Sequence, residues 1–246
     1  MGEIKAKERD VVVPGEQLAS GMDFIPGSGT YREHDNIYAA RVGLFNVEGK
    51  VLKIMPVSGT YVPKRGDVII GRVIDVLMSG WRIDTTTCYS AMLPLKDASS
   101  DFISKTMDLT RYFAIGDVIM TKITNVTSQK LIDVSMKGPG LRKLVGGRLV
   151  KVSPNKVPRI IGKQGSMVSM IKQATNCKIL VGQNGYIWLE GAPADEVVAV
   201  QTIKMIEEKA HISGLTDKIK KHLEDITGKE ISLTTNNDNS MNNQNN

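Results

Sequence analysis

No apolar run in these 246 residues is longer than five. A membrane-spanning helix needs ~20 consecutive apolar residues, so a membrane role is not expected. The opening MGEIKAKERD has no apolar centre and does not read as a secretory signal. Gly2 is placed for myristoylation, but position 6 is Ala6 rather than Ser or Thr. Cysteine is nearly missing. Cys88 and Cys177 stand far apart, which favours reduced thiols and a cytoplasmic location over a disulfide framework. Both read as small buried apolar residues rather than nucleophiles. His34, His211 and His222 do not cluster with them, so no zinc site is expected. His211 and His222 fall on expected surface helices. No D-x-D pair marks a two-metal centre, and no His lies in a motif with a nucleophile. Catalytic residues, metals and cofactors are therefore all expected to be absent. Aromatics are only 5%, so any stacking surface must use few rings.

What the chain does have is positive charge, unevenly placed. The formal net charge is +6. Residues 1–60 carry 7 basic and 8 acidic side chains, and residues 61–141 carry 10 and 8. Residues 142–178 carry 9 and none, while residues 179–246 carry 6 and 10. One stretch of 37 residues thus holds +9, and the rest of the chain is net −3. Charge concentrated in this way suggests a polyanionic partner, with nucleic acid foremost.

The turn and periodicity signals divide the chain into modules. Residues 1–60 read as a small β domain, with a strand at Val11–Val13, a Gly-rich loop at 25–31, and strands at Ile37–Phe45 and Gly49–Pro56. The loop is not a P-loop, because no Gly-Lys-Ser/Thr follows it. Residues 61–140 hold five strands: Val68–Leu77, Trp81–Thr85, Cys88–Leu95, Gly116–Val126 and Leu131–Met136. A helical or irregular insertion over Asp97–Tyr112 separates the third from the fourth. This is the pattern of a Greek-key OB barrel. Gly138-Pro-Gly140 reads as a hinge.

Residues 141–231 change period. A strand at Arg148–Val152 precedes a short helix or turn at Pro154–Ile161 and a helix at Ser166–Thr175. Strands at Cys177–Val181 and Tyr186–Glu190 are joined by the hairpin signal Gln183-Asn184-Gly185. A helix from Pro193 to about His211 turns Val197, Val200, Ile203 and Met205 or Ile206 inward. A further amphipathic helix lies within 213–231. The order is β-α-α-β-β-α. Residues 232–246 are dominated by Asn and read as a disordered tail. The fold class expected is multidomain and mostly β with α+β.

The sharpest motif is Ile160-Ile161-Gly162-Lys163-Gln164-Gly165-Ser166. Two glycines three apart permit a tight turn with no Cβ to block a ligand. The following helix opens its free N–H groups toward the same space. Lys163 and Arg159 add charge. A sugar-phosphate backbone fits such a site.

The run VPRIIGKQGSMVSMIKQATNCKI resembles a type I KH domain, with its GxxG loop at Gly162–Gly165. The resemblance implies that about four nucleotides of single-stranded RNA are held there. Arg159, Ile161, Gly162, Lys163, Gln164, Gly165 and Ser166 would contact it, with Val168, Ile179 and Val181 on the apolar side. The middle segment is similar to an S1-type RNA-binding OB fold. Such folds combine aromatic platforms with basic rims, which implies Trp81 and Tyr89 as platforms and Arg72, Arg82 and Lys122 as the rim. No His occurs in this segment, although many S1 modules carry one.

The whole order resembles the S1/KH cap subunit of the archaeal RNA exosome. That resemblance implies a non-catalytic RNA-binding subunit. Three copies would sit on a hexameric ring of phosphorolytic subunits and guide single-stranded RNA into its 3'-to-5' exoribonuclease pore. The N-terminal domain would dock on the ring, with Val11–Leu18 and the 25–31 loop as candidate contacts. The alternative is an S1/KH module of a transcription or translation factor. Replacing Gly162 and Gly165 together by Asp is expected to abolish RNA binding without unfolding the KH domain, as an affinity titration beside a thermal melt would show.

Overall fold

A computed structural model describes residues 2–99, 107–210, 212 and 214–228. The Asn-rich tail, His211 and the centre of the insertion after the third barrel strand lie outside the described residues. The chain divides into two units, Met1–Gly59 and Thr60–Asn246.

The first unit contains eight short strands: β1 (Glu3–Ile4), β2 (Val11–Val12), β3 (Gln17–Ser20), β4 (Ile25–Pro26), β5 (Thr30–Glu33), β6 (Asn36–Ala39), β7 (Gly43–Glu48) and β8 (Val51–Pro56). They form two sheets, ordered β1-β3-β6-β5 and β2-β7-β8-β4. One core serves both, built from Val12, Leu18, Ala19, Ile37, Ala39, Phe45, Leu52 and Ile54. The single strand expected over Ile37–Phe45 is in fact two. The chain leaves one sheet after Ala39 and enters the other at Gly43. Gly43 packs against Ile54 and the Met55 backbone, where a side chain would not fit.

The second unit opens with a barrel. Its strands are β9 (Val68–Leu77), β10 (Gly80–Asp84), β11 (Ser90–Pro94), β12 (Val118–Val126) and β13 (Ile132–Ser135), with α1 (Leu95–Ala98) after β11. The hydrogen-bonded order β13-β11-β10-β9-β12 closes through β12–β13, and β11 runs parallel to β13. Closure leaves these five strands without a free edge. Alternate residues fill the interior, among them Ile69, Val73, Trp81, Ile83, Leu93, Ile119 and Ile123.

Here the sequence reading of Trp81 is corrected. Its side chain is 0% exposed. Its Nε1–H donates to the Phe113 carbonyl at 2.9 Å, and its ring meets Phe113 edge-on with centroids 5.2 Å apart. A ring buried and hydrogen-bonded in this way is core and offers no face to a base.

The remaining elements are β14 (Lys143–Leu144), β15 (Arg148–Lys151), α2 (Val157–Ile161), α3 (Ser166–Thr175), β16 (Lys178–Val181), β17 (Tyr186–Glu190), α4 (Pro193–Glu208) and α5 (Leu215–Thr227). The sheet β15-β17-β16 is antiparallel throughout. One of its faces packs on the helices, through Val150, Ile179, Ile187 and Leu189 against Ile160, Ile171, Ile203 and Ile219. Val197, expected to point inward on α4, is exposed, and Ala199, Thr202, Ile203 and Ile206 are buried instead.

The other face of this sheet is also covered. Leu149, Leu180, Tyr186 and Trp188 pack on Ile70, Val118, Met120 and Leu144 of the barrel strands. Gly138–Gly140 is therefore not a hinge. Beyond it the chain stays on the barrel, where β14 pairs with β12 and the Met120 amide donates to the Arg142 carbonyl at 2.9 Å. Trp188 is seated by its Nε1–H, which donates to the Gly146 carbonyl at 2.9 Å, and Arg142 lies 6.0 Å from its ring centroid.

Truncating a large buried aromatic costs about 3–5 kcal/mol. Trp81→Ala should lower the stability of the second unit by that amount in denaturant unfolding. Its effect on RNA affinity should vanish once the folded fraction is accounted for.

Candidate nucleic-acid interface

The GxxG loop is a left-handed stretch of backbone between two helices. Gly162 has φ 77° and ψ 175°, Gln164 has φ 53°, and Gly165 has φ 80°. Such angles are cheap only for glycine and tolerable for a residue like Gln164. The two glycines differ in their surroundings. A Cβ on Gly162 would lie 2.7 Å from both the Met167 amide nitrogen and Cβ, whereas a Cβ on Gly165 meets nothing within 4 Å. Gly162 is therefore needed for packing, and Gly165 holds a space open. Replacing Gly162 therefore carries a steric cost that replacing Gly165 does not. Between them Lys163 and Gln164 are exposed, and α3 begins immediately after at Ser166.

The apolar candidates separate by burial. Ile161, Val168 and Val181 are partly buried and border the core, so each presents some surface, Ile161 and Val168 next to the loop in sequence. Ile179 is only 2% exposed. It faces the helices and belongs to the core, not to a base-binding surface. The strand β16 lies at an edge of its three-stranded sheet.

The nine cations of residues 142–178 are not equivalent. Lys143 pairs with Asp117 at 2.5 Å, Arg148 with Glu196 at 3.7 Å and Lys178 with Glu190 at 3.2 Å. Lys156 donates to the Glu207 carbonyl at 3.0 Å, and Arg142 lies over Trp188. Among the described residues, Lys151, Arg159, Lys163 and Lys172 are exposed and make no ion pair or side-chain hydrogen bond. Two of these four flank or occupy the GxxG loop, and Lys172 stands on the helix that follows it. The charge excess is thus narrowed onto the α2–loop–α3 segment.

On the barrel, Arg72, Arg82 and Lys122 are exposed and Tyr89 is 38% exposed. Strand register spreads the three basic residues apart. Arg72 faces Asp84 and Val118, Arg82 faces Asp75 and Met92, and Lys122 faces Val68 and Ser135. Two of them thus have an acidic cross-strand neighbour. They form a scattered rim, not a patch like that of the KH loop.

The thiols also separate. Cys177 is buried against Gly191, and burial pushes its thiol pKa up, as suits an inert core group. Cys88, expected to be buried, is exposed in the turn before β11. Among the described residues no three His, Cys, Asp or Glu side chains converge as a metal site requires. No helix among them is long and apolar enough to cross a membrane.

Sequence reasoning missed the junction residues Asn184 and Trp188. Asn184 was legible only as part of a turn. A signal for the junction was present nonetheless. Ile69-Ile70, Ile179-Leu180 and Ile187-Trp188-Leu189 are apolar on both faces of their strands, which requires cover on both sides.

Comparison with known proteins matches the chain in three consecutive segments. Residues 11–48 match the "Exosome complex exonuclease RRP4 N-terminal region", residues 60–105 the "RRP4, S1 domain" and residues 147–195 the "KH domain". The Exosome complex component Rrp4 of Methanothermus fervidus is 44% identical over 218 residues, covering 88% of this chain and 96% of that protein. The protein of the same name from Thermococcus kodakarensis is 41% identical over 228 residues, covering 91% and 88%. A crystal structure assigned to an exosome complex RNA-binding protein superposes with a TM-score of 0.62 at 36% identity, covering 68% of this chain and 97% of that one.

A side chain forced into αL costs roughly 1–2 kcal/mol. Gly165→Ala should destabilise by about that much, and Gly162→Ala by clearly more, because its Cβ also meets the Met167 backbone. Paired denaturant titrations measure the difference.

Proposed function

From the premise that the chain belongs to the Rrp4 family of exosome components, non-catalytic RNA-binding subunits with S1 and KH domains, we propose that it captures single-stranded RNA and feeds it to a phosphorolytic ring. The observation that carries this reading is the unpaired charge at the GxxG loop. Lys163 and Arg159 stand beside an open left-handed backbone turn, with the first amides of α3 adjacent. Phosphate oxygens fit that combination of cations and free N–H groups. Bases then lie over the partly exposed Ile161, Val168 and Val181. The barrel adds weaker guidance through Arg72, Arg82 and Lys122.

The first unit is the docking element in this proposal. Strand register aligns Val11, Leu44 and Met55 across β2, β7 and β8 on the face away from the core. Val11 is 63% exposed and Met55 49%, an apolar row that favours contact with another protein surface. Three copies on a hexameric ring, acting in the cytoplasm, complete the reading. The family assignment leaves the transcription- or translation-factor alternative without a supporting observation.

Two tests follow. Lys163→Asp with Gln164→Asp should weaken binding to oligouridylate at least ~10-fold, with an unchanged melting temperature and a smaller salt slope, because phosphate contacts release counterions. Wild-type affinity in that variant would refute the clamp. Val11→Lys with Met55→Lys should abolish co-purification of phosphorolytic ring subunits while leaving RNA affinity intact. Turnover of RNA by the pure wild-type chain would contradict a non-catalytic role.

A further inference from the structure

Asn184 is followed by Gly185, and no other asparagine in the chain precedes a glycine. The fold requires both residues. The side chain of Asn184 is 2% exposed and docks on barrel backbone. Its Nδ2–H groups donate to the Ile70 carbonyl at 2.8 Å and the Thr85 carbonyl at 3.2 Å. Its Oδ1 accepts from the Ile70 amide at 3.3 Å. Only a carboxamide both donates and accepts in this way. Gly185 has φ 87°, and a Cβ there would stand 2.4 Å from the Val152 carbonyl oxygen. Any other side chain would be strained and would clash.

This forced pairing brings together a chemically reactive dipeptide. A glycine after asparagine has no side chain to hinder attack of its backbone nitrogen on the asparagine Cγ. We propose that Asn184-Gly185 is a latent deamidation site, protected by the contact between the KH sheet and the barrel. The Gly185 nitrogen gives its proton to solvent hydroxide and forms a bond to Asn184 Cγ. The Cγ–Nδ2 bond breaks, and Nδ2 leaves as ammonia. Water then opens the resulting five-membered imide to aspartate or isoaspartate.

In the closed junction this reaction is held off. Three hydrogen bonds to the barrel fix the carboxamide. The Gly185 N–H is engaged by the Gly182 carbonyl at 3.1 Å, and both residues are buried from water. Opening of the junction releases all of these groups together. The product then opposes reclosure. An aspartate has no N–H to give, so its carboxylate would face the Ile70 and Thr85 carbonyls as an unpaired buried charge. Isoaspartate also inserts a methylene into the hairpin backbone. The junction is therefore a one-way device: it protects Asn184 while closed, and conversion of Asn184 keeps it open.

The test uses the full wild-type chain, held at mildly alkaline pH in buffer and in urea that unfolds the second unit. Trypsin then releases residues 179–204, in which Asn184 is the only asparagine, and mass spectrometry reads conversion of the amide to the acid. Conversion should be at least ~10-fold faster in urea, because the native rate is scaled down by the population of the open junction. Equal rates in the two conditions, or no conversion in urea, would overturn the proposal. These rates need no folded variant. Hydrogen exchange on Asn184→Asp tests the product. The Ile70 amide should exchange at least ~10-fold faster than in the wild type, and wild-type protection there would overturn the one-way step.

Discussion

The arrangement of the second unit depends on one buried contact, the docking of Asn184 on the backbone of barrel residues Ile70 and Thr85. Amide groups buried without partners are strongly unfavourable. Ile70 faces the KH sheet from a barrel strand, and its N–H and C=O are met by a single side chain. Around this polar centre, Ile70, Leu144 and Trp188 form a small apolar core of their own. The hydrogen bonds give the junction direction, and the apolar core gives it strength. The KH sheet and the barrel each lose part of their solvent face to it. A barrel and a KH fold that could have been beads on a string become one body.

That body explains why charge alone was an incomplete guide. Much of the basic excess of residues 142–178 is used internally. Lys143 reaches across to Asp117 of the barrel, Arg148 to Glu196, and Lys178 to Glu190. Exposed pairs of this kind contribute little to stability, but they cancel field where a ligand has no business. The cations left over gather at the α2–loop–α3 segment. The fold has in effect focused a diffuse signal.

Much of the architecture was legible before any coordinates. Alternation and turn residues placed the five barrel strands within a few positions, because a closed barrel imposes a strict two-residue period. Two glycines at Gly162 and Gly165 marked the loop, because few other residues adopt that backbone. The failures have local causes. Trp81 and Ile179 were assigned to the wrong side of the surface, and which side a strand residue takes depends on register and bulges, whereas Cys88 lies outside any strand, in the turn before β11. The β9–β10 ladder shifts register between Arg82 and Ile83, a detail no local pattern announces. The junction escaped for a related reason. Its partners, Ile70 and Asn184, are 114 residues apart.

The left-handed turn from Gly162 to Gly165 has an evolutionary consequence. Its shape is set by backbone torsion at three of its four positions, between helices α2 and α3. The side chains at 163 and 164 take no part in making it, since both point into solvent. Selection can therefore adjust charge and hydrogen-bonding capacity at those two sites without rebuilding the turn. Loop charge and loop architecture are separable traits in this protein, so the first can drift among descendants while the second stays fixed.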